Sequence, residues 1–144
     1  MSAPVAYLLD SNVLSETRRK KADNGVMAFL QAADSSTLYL SVLTLGELRK
    51  GIAAKCRTDP AAAKALAEWV EGLEVGFADR ILPVDARTAS LWGDWATNEA
   101  GDHPRPVVDT LLAATAAQHS LTLVTRNVHD VSGLRLKVHN PWMG

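Results

Sequence analysis

Short apolar runs alternate with longer stretches of helical periodicity along this chain. The apolar runs, bounded by polar and turn-forming residues, predict strands over Val5–Leu9, Leu38–Leu40, Ile81–Val84, Leu121–Thr125 and Leu136–His139. The periodic stretches predict helices over Val26–Ala33, Thr44–Ala54, Pro60–Gly76, Ala86–Ala100 and Pro106–His119. Because such alternation is typical of α/β proteins, the sequence predicts a three-layer α/β domain with a central, mainly parallel sheet flanked by helices.

Composition narrows the class of protein. The 144 residues, 47% of them hydrophobic, suffice for one packed core, and no repeat or linker divides them. We therefore expect a single domain over residues 1–144. The lone Cys56 excludes a disulfide framework, and without a signal-peptide pattern or a membrane-length apolar run we expect a cytoplasmic protein with no membrane association. A net charge of −1 argues against non-specific coating of nucleic acid.

Acidic and amide side chains fall where predicted strands end or predicted helices begin. Asp10 comes directly after the first strand, at the edge where open α/β sheets bind ligands. Glu47 and Asp109 lie near the starts of two predicted helices, and Asn127 and Asp130 follow the fourth strand. These positions are candidates for a common site at the carboxyl edge of the sheet.

Each of these positions also has a purely local explanation. Asp10 can cap the segment that starts at Ser11. Thr44 and Glu47 match the S/T-x-x-E capping box, in which the glutamate bonds back to the cap residue. Asp109 follows Pro106, the predicted first helical residue, closely enough for the helix dipole to favour its charge. Loop chemistry explains the polar residues after the fourth strand, so local sequence leaves both interpretations open.

Four short motifs follow one another along the chain: 10-DSN-12, 44-TLGELRKG-51, 107-VVDTLLAATA-116 and 124-VTRN-127. In this order they resemble the motifs of PIN-domain nucleases, and more narrowly those of VapC/FitB-type toxins of type II toxin-antitoxin systems. The likeness runs from about Tyr7 to Trp142 and includes 81-ILPVD-85 and 140-NPW-142. Each motif is short, and the order and spacing of the four make the resemblance specific.

The resemblance implies a fold, an activity and partners. It implies a small α/β domain that cleaves RNA with Mg²⁺ or Mn²⁺, is neutralised by a cognate antitoxin, contacts operator DNA only through that antitoxin, and forms a homodimer. Asp10, Glu47 and Asp109 match the three acidic positions of the family. Asn127 stands where many relatives carry aspartate, and Asp130, which the sequence ranks behind Asn127, is the alternative fourth ligand.

The chemistry of the acids agrees with this implication. Two carboxylates 4 Å apart repel each other by about 4 kcal/mol at an effective dielectric near 20, and a divalent cation relieves that repulsion. Mg²⁺ prefers oxygen ligands and retains waters that can serve as nucleophiles. Asp10 and Asp109 are then the expected principal ligands, and Glu47 binds the ion while orienting or deprotonating the attacking water.

A set of basic residues close to these motifs is a candidate surface for RNA phosphates. Its members are Arg18, Arg19, Lys20, Lys21, Arg49 and Arg126. A solvated face or a docking surface for an acidic antitoxin tail would explain the 18–21 run equally well. No aromatic residue accompanies that run, so the sequence does not predict base stacking there.

Two other functions remain open from the sequence. The chain could be a weakly active PIN domain that acts mainly as a binding partner in a toxin-antitoxin-operator complex, because Asn127 replaces a carboxylate. It could also be an aspartate-based phosphoryl-transfer protein with Asp10 as acceptor. Asn12 counts against the latter, since a haloacid-type phosphatase needs a second aspartate at that position.

Overall fold

Five parallel strands form the centre of the domain. The computed structural model describes residues 4–96 and 105–143, so the predicted last turn of the 86–100 helix and the loop at 101–104 lie outside the described residues. The strands are β1 (Tyr7–Leu9), β2 (Leu38–Ser41), β3 (Ile81–Leu82), β4 (Thr122–Val124) and β5 (Val138–His139). Their spatial order is β3-β2-β1-β4-β5, which confirms the predicted parallel α/β sheet.

Helices connect and cover these strands. They are α1 (Ser11–Glu16), α2 (Asn24–Ala32), α3 (Val42–Cys56), α4 (Pro60–Gly76), α5 (Ala86–Ala96) and α6 (Val107–Gln118). Single 3₁₀ turns cover Ser35–Thr37, Val128–Val131 and Pro141–Met143. None of the described helices is long and apolar enough to cross a membrane.

The core lies in two layers because adjacent strand residues point to opposite faces of the sheet. Leu9 and Val124 pack with the side that carries α1 to α4, whereas Leu8 and Leu123 pack with α5 and α6. The side chains of these four residues are at most 1% exposed to solvent. The near-continuous apolar sequence of β1 and β4 follows from burial on both faces.

The start of α3 differs from the sequence prediction. The helix begins at Val42 rather than Thr44, because the Ser41 hydroxyl at the end of β2 accepts the Leu43 N–H at 3.0 Å and caps the helix. The Thr44 hydroxyl instead donates to the Leu9 carbonyl at 3.3 Å. The capping-box interpretation of Glu47 is therefore wrong, and this carboxyl is free of that local role.

Two other helix starts agree with the sequence more closely. Asp10 caps α1, as predicted, and its carboxyl accepts the Ser11 N–H. Pro106 is the cap residue of α6 rather than its first helical residue, which leaves Asp109 in the first turn. Four predicted strands were one or two residues too long at an end, since residues such as the half-exposed Val5 lie outside the ladder, whereas β2 was predicted one residue too short.

The strand order contains a switch point between β1 and β4. From β1 the chain builds the sheet outward through β2 and β3, and it then returns to place β4 on the other side of β1. Open α/β sheets have a crevice at the carboxyl ends of the two strands where the order reverses. Asp10 and Thr125 are the first residues after these two strands, so the topology brings them together at that crevice.

Candidate active site

Asp10 is held rigidly at the switch point. The residue is only 4% exposed, and its backbone N–H continues the β1–β4 ladder to the Val124 carbonyl at 3.0 Å. One carboxylate oxygen, Oδ1, accepts the Ser11 N–H at 2.7 Å, and the other, Oδ2, accepts the buried Thr125 hydroxyl at 2.8 Å. Asp10 caps α1 through Oδ1 alone, and Thr125 holds Oδ2. Capping α1 is therefore compatible with a role of Asp10 in the site.

Thr125 is the centre of a small hydrogen-bond network beneath the site. Its hydroxyl donates to Asp10 and accepts the Asn127 N–H at 3.0 Å and the Asn12 side-chain amide at 3.4 Å. The Asn12 carbonyl oxygen accepts the Arg126 N–H at 3.5 Å. This network joins the start of α1 to the loop after β4, and sequence reasoning did not assign a role to Asn12 or Thr125.

Glu47 reaches the same edge from α3. The Ser11 hydroxyl lies 3.5 Å from Glu47 Oε1 and 3.4 Å from Asp10 Oδ1, so a single serine hydroxyl lies between the two carboxyls. Burial, followed by the charge of Asp10, raises the pKa of Glu47. For Asp10 burial also raises the pKa, against the opposing hydrogen bonds from Thr125 and Ser11.

Asp109 and Asp130 form a second carboxyl pair. Asp109 lies in the first turn of α6, and its carboxyl is close enough to that of Asp130, in the 128–131 turn, to share a hydrogen bond. Partial burial, this hydrogen bond and the charge of Asp10 together raise the pKa of Asp109 to about 7. Since Asp130 also contributes to the raised pKa of Asp10, the two carboxyl pairs belong to one electrostatic cluster.

The acidic cluster, defined as Asp10, Glu47, Asp109 and Asp130, offers only oxygen ligands. That donor set fits Mg²⁺ or Mn²⁺ and does not fit a structural zinc site. Within residues 4–96 and 105–143, however, no three acidic, histidine or cysteine side chains converge closely enough to hold a metal ion as they stand. The four carboxyls are therefore electrostatic neighbours rather than a finished coordination shell.

Asn127 occupies a different position from Asp130. Asn127 is exposed, and the hydrogen bond that fixes it is made by its backbone N–H to Thr125. The Arg105 guanidinium donates to the Asp130 backbone carbonyl at 3.2 Å, which ties the 128–131 turn to the start of α6. The geometry thus brings Asp130, rather than the Asn127 amide, to Asp109.

The predicted basic residues fall into three groups. Arg19 pairs with the buried Glu16 at 3.3 Å, and Arg49 pairs with Glu74 on α4. The exposed residues Lys20 and Lys21 extend from the loop after α1.

The remaining two arginines of the set lie over indole rings. Arg18 is 5.1 Å from the centre of the Trp69 ring, and Arg126 is 5.2 Å from that of Trp142. Aromatic partners therefore do accompany the basic residues, but they come from distant parts of the chain, where no local pattern indicated them.

Comparisons with known proteins agree with this geometry. The PIN domain profile matches residues 7–129. The toxin FitB of Neisseria gonorrhoeae is 36% identical over 138 residues, covering 94% of this chain and 97% of that protein. A VapC ribonuclease of Sinorhizobium fredii is 32% identical over 139 residues, covering 94% and 96%. A solved structure of FitAB bound to a DNA fragment superposes with a TM-score of 0.84 at 33% identity, covering 94% of this chain and 95% of that one.

This chain belongs to the PIN-domain family, and within it to the VapC/FitB type of toxin. The resemblance inferred from the four sequence motifs is confirmed. The matched segment contains Asp10, Glu47 and Asp109 and ends just before Asp130.

Proposed function

We propose that this protein is a Mg²⁺- or Mn²⁺-dependent endoribonuclease toxin that a cognate antitoxin neutralises. The observation that supports this most strongly is the coupling of four carboxyls at the switch point, where the pKa of Asp109 is raised to about 7. Carboxyls that disfavour each other's charge gain most from a divalent cation. The similarity to a VapC ribonuclease supports the choice of RNA as substrate.

In this proposal Asp10, Asp109 and Asp130 hold the cation, and Glu47 acts on the attacking water. A bound Mg²⁺ or Mn²⁺ would polarise the scissile phosphate and lower the pKa of a water. Thr125 and the Ser11 N–H fix both oxygens of Asp10, so that this ligand is preorganised. Glu47, with its pKa raised by burial, accepts the proton of the attacking water, and in-line hydrolysis leaves a 5′-phosphate and a 3′-hydroxyl.

The same details disfavour the phosphoryl-transfer alternative. Asn12 stands where a haloacid-type phosphatase needs its second aspartate, and its side-chain amide donates to the Thr125 hydroxyl instead of offering a carboxyl. An inert binding module is favoured by Asn127, but Asp130 supplies the carboxyl that Asn127 lacks.

RNA cleavage by the purified protein tests the proposal. Wild type should cleave single-stranded RNA with Mg²⁺ or Mn²⁺ and stop on addition of EDTA, and Asp10→Asn should lose cleavage by orders of magnitude while remaining folded. Glu71→Gln, a charge change on an exposed residue of α4, is the matched control and should retain wild-type activity. Cleavage that persists in EDTA, or in Asp10→Asn, contradicts the proposal.

The fourth ligand can be tested separately by calorimetric Mn²⁺ titration. We expect Asp130→Asn to weaken Mn²⁺ binding, because it removes a charge next to Asp109, and Asn127→Ala to change it little. If Asn127→Ala weakens Mn²⁺ binding more than Asp130→Asn does, Asn127 rather than Asp130 is the fourth ligand. Asn127→Asp should strengthen binding only if its side chain can turn towards the cluster.

The antitoxin and operator DNA are proposed as partners on the basis of similarity. The FitAB structure that superposes on this chain contains DNA, and we propose that DNA contact by this chain occurs through an antitoxin. A homodimer stays a prediction from the resemblance. Sequencing of RNA ends after induction of wild type and Asp10→Asn would identify the target, and rescue of growth by the co-expressed antitoxin would test neutralisation.

A further inference from the structure

Arg126 combines three features that set it apart from the other basic residues near the acidic cluster. It directly follows Thr125, which bonds Asp10, so its backbone is about one residue spacing, or about 3.8 Å, from the network under the site. Its N–H is accepted by the Asn12 side chain, which fixes the backbone direction. Its guanidinium lies 5.2 Å from the centre of the Trp142 ring.

The Trp142 ring is itself held in place. The Asn140 side-chain oxygen accepts the backbone N–H of Trp142 at 3.0 Å, and the partly buried indole packs at the margin of the core on the α1–α4 side of the sheet. The Pro141–Met143 turn packs against α2, where the backbone of Gly25 leaves only enough room for the Pro141 carbonyl. Packing against the core and against α2 thus positions the Trp142 ring without any contribution from Arg126.

The Arg126 guanidinium makes its contact with the Trp142 ring rather than in an ion pair. In the described part of the chain Arg126 forms no ion pair, although its neighbour Thr125 bonds one of the clustered acids, whereas Arg19 and Arg49 each pair with a glutamate. An arginine in contact with an indole face retains its charge and its outward-facing N–H donors. The charge of Arg126 is thus available to an anion that approaches the acidic cluster.

We propose that Arg126 binds a backbone phosphate of the RNA next to the cleavage site and that Trp142 is the positioning residue that holds the guanidinium ready for it. The proposal rests on the ribonuclease function proposed above. Phosphate is the anion that the planar guanidinium binds in bidentate fashion, and preorganisation on the indole lowers the entropic cost of forming that contact.

RNA binding in EDTA tests this inference without cleavage. The measurement is fluorescence anisotropy of a labelled, mixed-sequence single-stranded RNA over a series of salt concentrations. Arg126→Gln should reduce the slope of log Kd against log salt by about 0.7, the value for one lost phosphate contact on a single strand. Arg126→Lys should keep most of the slope but weaken binding about threefold to tenfold, since lysine lacks the planar fork.

The Trp142 variants separate positioning from packing. Trp142→Leu should weaken RNA binding about twofold to fivefold with little change in slope, and Trp142→Phe, which preserves a ring, should lie between it and wild type. In the double variant Arg126→Gln/Trp142→Leu, the leucine should add nothing to the loss caused by the glutamine. If Trp142 contacts RNA independently, the two losses will multiply and the positioning role is overturned.

Arg135→Gln is the matched control. Arg135 is an exposed arginine that precedes β5 and so lies at the opposite edge of the sheet from the acidic cluster, and its replacement should leave the salt slope unchanged. An unchanged slope in Arg126→Gln, or an equal decrease in Arg135→Gln, overturns the proposal. If the wild type fails to cleave RNA when either Mg²⁺ or Mn²⁺ is supplied but the binding results hold, the proposed enzymatic function is wrong while the phosphate contact stands.

Discussion

Replacing Asp109 by asparagine should stabilise the metal-free protein at neutral and alkaline pH. Because the pKa of Asp109 is raised from about 3.8 to about 7, the folded state binds its proton more tightly than the unfolded chain does. The stability contributed by this proton is fully present below about pH 4 and is lost as the pH rises through about 7. Asparagine carries no charge at any pH, so the variant does not lose this stability as the pH rises.

The size of the gain follows from the pKa. A change from 3.8 to about 7 corresponds to about 4 kcal/mol for a fully shielded carboxyl. Asp109 is only partly buried, so solvent screening should reduce this to about 1–2 kcal/mol at about pH 8. At about pH 4 the wild-type carboxyl is protonated in the folded state, and the gain should disappear.

Urea unfolding in EDTA at the two pH values measures this difference directly. Glu71→Gln, the control on α4, should change stability little at either pH. Addition of Mn²⁺ should stabilise wild type more than Asp109→Asn, and the variant should have lost RNA cleavage. A gain of equal size at about pH 4 and about pH 8, or none at either, would refute the electrostatic explanation and reduce Asp109 to a helix-dipole residue.

Three further outcomes are expected. Glu47→Gln should fold with normal stability but lose most cleavage and its response to metal, and unchanged cleavage with an unchanged metal titration would remove Glu47 from the site. Ser41→Ala, which removes the observed cap of α3, should lose about 1 kcal/mol in urea unfolding and retain activity. Thr125→Val should leave the buried Asp10 carboxylate without its hydroxyl donor and lower stability by about 1–3 kcal/mol, with cleavage reduced even in the folded fraction, and unchanged cleavage would remove Thr125 from the site. Gly25→Ala places a Cβ 2.3 Å from the Pro141 carbonyl oxygen and should lower stability by about 1–3 kcal/mol in thermal unfolding. Gly51→Ala, in the open interior of α3, should instead raise stability by about 0.5–1 kcal/mol. Equal effects at the two glycines would contradict the close approach of the Pro141 carbonyl to α2.

The sequence predicted the parts of the structure that depend on short-range patterns. Continuous apolar runs at β1 and β4 reflect burial on both faces, and Asp59 followed by Pro60 marked the start of α4 correctly. The start of α3 was missed because two residues near it, Ser41 and Thr44, have side chains able to cap. The choice was decided by the end of β2 and by the distant Leu9 carbonyl, which no local pattern contains.

The candidate site was predictable to a similar extent. Motif order pointed to Asp10, Glu47 and Asp109, whereas the contribution of Asp130 depends on the path of the 128–131 turn. That path is held by Arg105 from the start of α6. The contact of Arg126 with its indole likewise joins residues from different elements, so it could be found only from the folded chain.

The position of β4 next to β1 ties the site to the order in which the polypeptide is synthesised. Asp10 emerges early, but the threonine that fixes its carboxylate is 115 residues further along the chain. A ribosome must therefore release most of the protein before β4 can insert beside β1 and before the second carboxyl pair exists. Until then the nascent chain carries Asp10 and Glu47 without the partners that would complete a site, so folding of the acidic cluster has to follow synthesis of most of the chain.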